Sequence, residues 1–513
     1  MRVSVRWIFV SSALALAAGP VRAAESRPVV QSRDFAATAG GLAAGARLRL
    51  EGVQVADTGE AAAFDLERFE VFAKDAKITV HGDQGDRVLP APANTYFRGT
   101  LADKPDSRVF LARLADGGTQ GMVSEPGGEI YFIGGDPAAS GEAKALGGPL
   151  EMHRVDRVLL KSSRAGDVTT CGNATLPAGP GNQMLDFGSL APLPAAPAEK
   201  DLGATTALYS ARLAIETDYE FFQIFNDATA ATNYVANLVG FASTVYAAEL
   251  NTGLVVQSLS LWQTSSDPWT QRNTLCSLLE FGKYWNQNKT GVSRTIAHFL
   301  SGKLSGGGLS WVGALCKSTF TTGFAASCPE LGAETAPWGG GYGYTGNIYG
   351  EFNINNPVMV WDIYAFSHEL GHGFGSKHSH CYNNVGGSPD PIDKCYSGES
   401  GCYSGAISLP GPSSQGSGTI MSYCHQLSGN FANISMTFGT NFGYGTLPGR
   451  EATQMNNYIG AVAAANATCL APVSGGGGGG TGGGGGGTPP PPPPPSALPF
   501  SDGFESGTMG SWH

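Results

Sequence analysis

The sequence has few charged residues, no cluster of basic residues and no long apolar segment in its interior. Charged side chains make up 14% of the 513 residues, and the formal net charge is -11. Because nucleic-acid binding depends on clustered Lys and Arg, this composition argues against a nucleic-acid partner. No interior segment reaches the roughly 20 apolar residues that a membrane-spanning helix needs, so no membrane anchor is predicted.

The first residues have the pattern of an export signal. Arg2 and Arg6 precede an apolar run over 7–18, and the small-residue site Val21-Arg22-Ala23 follows it. The run is too short to span a bilayer. We therefore expect a signal peptide over 1–23 and a secreted, extracellular protein.

Cysteine is nearly absent from the first half of the sequence. Of the nine cysteines, only Cys171 lies upstream of residue 276. Disulfides form in exported chains, and the even number downstream permits four of them, with a connectivity that the sequence leaves open. The downstream cysteines are Cys276, Cys316, Cys328, Cys381, Cys395, Cys402, Cys424 and Cys469.

Composition and periodicity divide the rest of the chain into four parts. Short strands separated by Gly, Asp and Pro turns predict a β-rich domain over 24–203. Alternating strand and helix signals predict an α/β domain over 204–472. A Gly-rich and then Pro-rich linker covers 473–496, and a short tail over 497–513 follows it.

The elements can be predicted one by one. In the first domain we predict strands over 47–53, 69–72, 76–80, 108–114 and 129–133. In the second we predict strands over 211–216, 254–262, 295–300 and 308–315, and helices over 229–250, 274–286, 360–373 and 451–465. The long helix over 229–250 is expected to be amphipathic.

The strongest signal in the sequence is the pattern His368-Glu369-x-x-His372-x-x-Gly375-x-x-His378. Residues four apart lie on the same face of a helix, so His368 and His372 can bind the same metal ion. Glu369 lies next to that face, which suits a general base rather than a ligand. Gly375 permits a sharp turn that returns His378 as a third ligand. Three protein ligands leave a fourth position open, as in catalytic zinc sites.

The alternative interpretation of this pattern is a His-rich loop on a core helix. Such a loop requires neither Glu369 nor Gly375, and the exported context suits a metalloprotease. We therefore favour a site for one catalytic Zn²⁺ and expect protein or peptide substrates.

These residues match the long zinc-binding consensus of the metzincin clan of zinc peptidases, which the chain resembles. The clan also has a methionine in a tight turn beneath the zinc, and 418–423 resembles that turn. Met421 is then expected to be a structural floor and not a ligand, although ordinary packing is the alternative. The resemblance implies an α/β (α+β mixed) catalytic domain with a twisted mixed sheet and an active-site helix.

Within the clan, two stretches resemble the adamalysin or reprolysin branch. Residues 307–316 look like that branch's edge strand and the cysteine after it, and 211–262 look like its opening strand, helix and strand. The resemblance implies that substrate pairs with the edge strand and that Cys316 pairs with Cys469. Ser379 departs from the branch, since adamalysins usually have Asp after the third histidine.

Tyr423, two positions after Met421, is similar to the tyrosine that astacin-like and serralysin-like members use near the zinc. There it can hydrogen-bond the oxyanion of the tetrahedral intermediate. The alternative is a buried tyrosine whose hydroxyl has a backbone partner.

Cys171, followed by Gly172, resembles the core of the cysteine switch of matrixins and adamalysins. A thiolate is a strong zinc ligand, so a cysteine upstream of the enzyme can keep a precursor latent. This resemblance predicts that 24–203 is a propeptide. A plain buried thiol and an intermolecular disulfide are the alternatives.

Weaker signals concern four further residues. Glu216 and Asp218 can join a structural Ca²⁺ site, as in some relatives, although solvated acids on a strand edge are the simpler interpretation. His380 and His425 flank the metal motif and can line the site, but neither lies at a ligand spacing, so surface histidines are the simpler expectation.

Together these features predict a secreted zinc endopeptidase that is made as a latent zymogen. Two alternatives stay open: a catalytically silent binding or adhesion protein with the metzincin fold, and a zinc hydrolase of cell-wall peptides. The intact Glu369 argues against the silent protein, because only turnover requires this carboxylate.

Overall fold

The computed structural model describes residues 27–134, 149–162, 207–323, 327–332, 335–350, 355 and 357–473. The predicted signal peptide, Cys171 and the residues after 473 lie outside these ranges. The N-terminal elements are β1 (Val29–Gln31), α1 (Phe35–Ala39), β2 (Arg47–Val55), β3 (Ala61–Phe69), β4 (Phe72–Gly82), β5 (Gly85–Leu89), β6 (Thr95–Leu101), β7 (Lys104–Arg113), β8 (Thr119–Ser124), β9 (Ile130–Ile133), β10 (Glu151–Arg154) and α2 (Arg157–Ser162).

The second region alternates strands and helices, which confirms the predicted mixed α/β class. Its elements are β11 (Tyr209–Thr217), α3 (Tyr219–Phe225), α4 (Ala228–Leu250), β12 (Thr252–Trp262), α5 (Thr274–Asn288), β13 (Ile296–Leu300), β14 (Gly308–Ser310), β15 (Phe320–Thr322), β16 (Ala336–Gly339), β17 (Tyr342–Thr345), α6 (Met359–Gly373), α7 (Arg450–Ala465) and β18 (Ala471–Pro472). Short 3-10 helices lie at Ser32–Asp34, Pro329–Leu331, Ser379–Cys381, Cys424–Gln426 and Asn430–Asn433.

Most N-terminal strands form one sheet that closes on itself. The strand order is β1-β2-β10-β9-β8-β7-β6-β3, and β3 pairs again with β2. We call this closed sheet the barrel. Its interior is filled by large apolar side chains, among them Leu50, Phe64, Phe97, Leu111 and Val123. The barrel therefore has a hydrophobic core of its own.

The second sheet contains strands from both regions of the chain. Its order is β14-β17-β13-β11-β12-β4-β5, and β18 pairs with β11. The central pairings are parallel, whereas β14 and β5 run antiparallel to their neighbours. The N-terminal hairpin β4–β5 thus extends this sheet beyond β12, with Leu261 opposite Val80. The boundary predicted near residue 204 does not separate two sheets.

Two strand predictions are wrong. Phe69 ends β3 and Phe72 begins β4, so the predicted strand over 69–72 is the point where the chain passes from one sheet to the other. The predicted strand over 308–315 ends at Ser310. Beyond it, the N–H groups of Gly313 and Ala314 donate to the carbonyls of His372 and Gly373, each at 2.9 Å. The backbone there binds the carboxyl end of α6 instead of a neighbouring strand.

Helix α4 is not amphipathic as predicted. Of its 23 residues, 19 are buried, because the helix contacts β12 on one side and β6 and β7 of the barrel on another. Asp227 caps its first turn by accepting from the Ala230 N–H. Within the described ranges, no helix combines the length and apolar character needed to cross a membrane.

All eight downstream cysteines form disulfides. The bonds are Cys276–Cys328, Cys316–Cys469, Cys381–Cys402 and Cys395–Cys424. The number of disulfides and the Cys316–Cys469 pairing that the resemblance implied are confirmed. Cys381–Cys402 and Cys395–Cys424 bracket the segment that follows the third histidine of the metal motif, so they hold that segment close to the turn at Met421.

Candidate metal centre and active site

Three histidine side chains converge where α6 ends and the chain turns back. His368 and His372 lie in the last two turns of α6, and His378 follows the turn at Gly375. One ring nitrogen from each histidine lies within 4.8 Å of those from the other two. All three side chains are buried. The three histidines of the sequence motif thus place three nitrogen donors close together in the fold.

Glycine is required at two positions, one within α6 and one in the turn that follows it. Gly375 has φ of +89°, which disfavours residues with a Cβ, and a Cβ there would also lie 2.8 Å from Tyr458 Cγ. A Cβ at Gly371 would lie 2.6 Å from the Met421 sulfur. The absence of both side chains lets the helix rest on Met421 and lets His378 return to the site.

Hydrogen bonds orient the three rings in the same way. The Nδ1 of His368 donates to the Ile420 carbonyl at 2.7 Å, and the Nδ1 of His372 donates to the Ser376 carbonyl at 2.9 Å. The Nδ1 of His378 donates to the carboxylate of Glu399 at 2.6 Å. Because each Nδ1 carries the proton, each Nε2 keeps its lone pair for a metal.

The electrostatics of the group also suit a metal cation. Burial and the neighbouring His372 and His378 hold the pKa of His368 well below its usual range. Burial, followed by His378, lowers the pKa of His372 to about 3. The Nε2 atoms of His368 and His378 are buried and have no hydrogen-bond partner, which is costly unless a ligand binds them. Three neutral imidazoles are a donor set that fits Zn²⁺.

Glu369 lies beside this group and against the edge strand. It is buried, and a Cβ added to Gly308 of β14 would overlap its side chain. The space above Gly308 is therefore filled by the Glu369 carboxylate, which lines a small pocket together with His368, Trp361, Tyr423 and other residues. The carboxylate is thus placed between the histidines and the strand that the resemblance assigns to substrate.

Met421 and Tyr423 both lie next to the histidines. The Met421 sulfur packs under Gly371 of α6, and the Met421 carbonyl accepts from the Ser379 N–H at 3.0 Å. The Tyr423 ring is buried, with its centre 4.4 Å from that of His378. The position beneath the helix agrees with the floor that the resemblance implied for Met421, while the catalytic role of Tyr423 stays a prediction.

Glu399 is a residue of the site that sequence reasoning missed. One of its carboxylate oxygens accepts from His378 at 2.6 Å and from His380 at 2.9 Å. Burial opposes its ionisation, but His378 and His380 outweigh burial and hold the pKa of Glu399 below its usual range. It is 21 residues from His378 in the chain, and no motif points to it. Its signal is visible only in the folded chain.

We expect Glu399→Ala to weaken zinc binding. Loss of the carboxylate leaves the His378 ring free to rotate, and loss of such a partner typically lowers metal affinity about 10- to 100-fold. Competition with a chromogenic chelator measures the affinity. The exposed Glu330 supplies the matched control, and equal affinity of Glu399→Ala and Glu330→Ala would show that Glu399 does not orient the ligand.

A carboxyl group also lies next to Ser379, the position that departs from the adamalysin pattern. It comes from Glu451 on α7, whose Oε1 accepts from the hydroxyls of Ser379 and Thr419, each at 3.2 Å. Burial raises the pKa of Glu451 well above its usual range. The serine therefore connects the metal loop, the turn at Met421 and the last helix through one buried carboxyl group.

Two histidines predicted to be at the surface are buried instead. His380 is 0% exposed and donates to Glu399, as described above, and His425 is 3% exposed with its Nδ1 3.0 Å from the Tyr364 hydroxyl. Burial lowers the pKa of His425 to about 3. Aromatic rings, including that of Tyr423, pack against both side chains, which spacing in the sequence could not indicate.

Glu216 and Asp218 are also buried, so the interpretation as solvated acids is wrong. The two oxygens of Glu216 accept from the indole N–H groups of Trp262 and Trp285 at 2.9 and 3.1 Å. Asp218 accepts from the Ser301 hydroxyl and from two backbone N–H groups. Both carboxylates thus have protein donors, and a calcium site there stays a prediction. Cys171 lies outside the described residues.

Comparison with known proteins agrees with the chemistry of the three histidines. Residues 208–435 match the model of a reprolysin-type family, described as metallo-peptidase family M12 (Reprolysin_5). No curated protein matches the chain. Among solved structures, a similar chain is the crystal structure of metalloproteinase-II from Bacteroides fragilis, with 11% identity, a TM-score of 0.31 and coverage of 70% of this chain and 91% of that one. Such a low TM-score supports no conclusion about this chain. The family match covers the three histidines, Glu369 and Met421, and residues 208–435 therefore belong to metallopeptidase family M12, as a metzincin-like zinc peptidase.

Proposed function

We propose that the chain is an exported zinc endopeptidase, made as a latent precursor, in which His368, His372 and His378 hold one Zn²⁺. The observation that carries this proposal is the convergence of the three rings, with every Nδ1 donating to protein and one nitrogen per ring within 4.8 Å of the others. Zinc at this position supplies Lewis-acid chemistry, because it lowers the pKa of water and polarises a peptide carbonyl.

Glu369 is the general base in this proposal. Its carboxylate takes a proton from the attacking water and later donates that proton to the nitrogen of the leaving amine. The contact between Glu369 and Gly308 supports this role, since a peptide lying along β14 would bring its carbonyl next to the carboxylate. The reaction needs no acyl-enzyme, so no serine or cysteine nucleophile is required.

The substrate is proposed to bind as an extended strand along β14. Among the described residues, this strand is the edge of its sheet and pairs antiparallel with β17. An edge strand offers backbone N–H and C=O groups to a peptide. Tyr423 is a candidate for hydrogen bonding to the oxyanion as it develops.

The proposal is tested by casein hydrolysis by the secreted protein. We expect hydrolysis that stops with a zinc chelator and returns when zinc is added back. A protein that binds zinc but cleaves neither casein nor cell-wall peptides would instead be the silent binding protein. Cleavage of cell-wall peptides alone would identify the protein as a zinc hydrolase of cell-wall peptides.

Latency is proposed to depend on Cys171, whose thiolate would bind at the metal centre and exclude water. We expect Cys171→Ser to give a precursor that cleaves casein before any processing. The measurement is the activity of the uncut precursor, with its intact length checked by mass spectrometry. A serine variant as silent as the unaltered precursor would rule out the cysteine switch.

A further inference from the structure

The strands of the barrel are apolar on both faces. In the pairs Tyr96-Phe97, Phe110-Leu111, Met122-Val123 and Phe132-Ile133, the second residue lies in the core of the barrel. Since neighbouring residues of a strand point to opposite faces, the first residue of each pair points outward. These outward residues are nonetheless buried, because they belong to the hydrophobic core of the M12 domain.

Helix α4 offers the surface on which these side chains pack. Asn233, Asn237 and Gly240 are spaced four and three apart and so share one face of the helix. A Cβ at Gly240 would overlap the ring of Phe110, so the ring packs directly on the helix backbone. The two amides are matched by polar groups of the N-terminal region: Asn237 donates to Gln120 and Asn94 donates to Asn233, each at 2.9 Å. The contact is thus closely packed and includes hydrogen bonds between the two surfaces.

A buried ion pair joins the same two surfaces. Arg108 of β7 donates to Glu249 of α4 at 3.1 Å, and their side chains are 10% and 0% exposed. The other oxygen of Glu249 accepts from the Thr437 hydroxyl and the Phe438 N–H, each at 2.9 Å. A buried charge is strongly unfavourable without its partner. Removal of the barrel would therefore leave Glu249 without its arginine.

The hairpin β4–β5 makes the contact continuous with the sheet of the M12 domain. Strand β4 pairs with β12 from Ser258 to Trp262, and His81 stacks on Trp262 with ring centres 4.1 Å apart. Without the hairpin, β12 would become an open edge strand with unpaired backbone groups. The hairpin also lies at the opposite end of the strand order from β14. Substrate binding along β14 therefore does not require the N-terminal region to leave.

We propose that the N-terminal region over 27–162 stays bound to the M12 domain after the precursor is cut, as a permanent non-covalent subunit of the mature enzyme. This inference rests on the proposed latent precursor and on its cleavage in the Pro-containing segment over 190–206. Cutting there frees one end of the segment around Cys171 from the M12 domain, while the barrel and hairpin keep the apolar, hydrogen-bonded and ionic contacts described above. In this scheme, activation cuts the chain between the N-terminal region and the M12 domain and leaves the contact with α4 intact.

The test uses the full chain with Glu369→Gln, which prevents self-digestion, and a recognition site for a specific protease inserted in the segment over 190–206. After complete cutting, the fragments are run on gel filtration at about 1 μM, a concentration at which obligate interfaces stay assembled. Each peak is then identified by mass spectrometry. We expect both fragments in one peak. The assay reads mass and not proteolysis, so it stays informative even if the proposed enzymatic function fails.

Separate elution of the N-terminal fragment would overturn the proposal, and so would precipitation of the M12 fragment with the N-terminal fragment free in solution. Arg108→Ala should raise the dissociation constant of the two cut fragments about 30-fold or more, because truncation of one partner in a buried charge pair weakens binding by this amount. Arg49→Ala is the matched control, because Arg49 is partly exposed and pairs with Glu51 and Asp65, which also belong to strands of the barrel. Circular dichroism of the uncut variants checks that both fold. Equal dissociation constants for the fragments of the two folded variants would contradict the role of the ion pair.

Discussion

Glu369→Gln is expected to abolish casein hydrolysis and to leave zinc binding unchanged. Glutamine keeps the size of the side chain beside Gly308 but cannot accept a proton from water. Loss of a general base typically lowers the rate about 10²- to 10⁴-fold. Because the three histidines do not depend on this carboxylate for their Nδ1 hydrogen bonds, the metal should stay.

The measurement for this variant combines the rate of casein cleavage with the zinc content of the same preparation. The exposed Glu330 again serves as a matched control, and Glu330→Gln should cleave at the unaltered rate. Normal cleavage by a zinc-loaded Glu369→Gln variant would show that another group takes the proton, and the proposed mechanism would be wrong.

His372→Ala is expected to lose the zinc and, with it, all activity. The ring centre of His372 lies 4.9 Å from that of His368 and 4.7 Å from that of His378, so its nitrogen is one corner of the donor group. If each ligand carries a quarter to a third of an apparent zinc affinity of about 10–16 kcal/mol, affinity falls by on the order of 10²- to 10⁴-fold. Dialysis against a weak chelator followed by elemental analysis measures the retained metal.

The matched control for this variant is His153→Ala, because His153 is half exposed on β10 and remote from the metal motif in the chain. It should keep one zinc per chain. Zinc retained by His372→Ala at the unaltered affinity would mean that the metal binds elsewhere, for which His378, His380 and Glu399 form an alternative group of donors.

The elements around the metal motif could be predicted well from the sequence, because their signals are local. Helix α6 was expected over 360–373 and spans Met359–Gly373, and α7 was expected over 451–465 and spans Arg450–Ala465. The spacing of His368 and His372 follows from helix geometry alone. Gly375 also has a local reason, since its positive φ is a property of one residue.

Two of the three partners that orient the histidines could not be predicted, because they come from distant parts of the chain. Ile420 accepts from His368 across 52 residues, and Glu399 accepts from His378 across 21. Glu451 reaches Ser379 across 72 residues. Neither acid has a fixed spacing from the motif, so only the fold brings them to the site.

The burial of helix α4 could not be predicted from the sequence either. Its start and end agree with the prediction to within one residue, since Asp227 caps the first turn and Asn251 ends the helix with φ of 52°. The amphipathic face that was expected does not exist, because the barrel covers the side that would otherwise meet water. Local sequence specifies a helix, but the surfaces that pack on it depend on the rest of the chain.

The sequence by itself determined the metal chemistry and the class of fold, because the donor atoms of His368 and His372 and the turn at Gly375 lie within a few residues of one another. Tertiary structure alone decided which groups hold those rings in place and how the N-terminal region joins the second sheet. The physical reason is that hydrogen bonds, buried ion pairs and strand pairing act over a few ångströms in space, whereas the residues that make them are separated by tens to hundreds of positions in the chain.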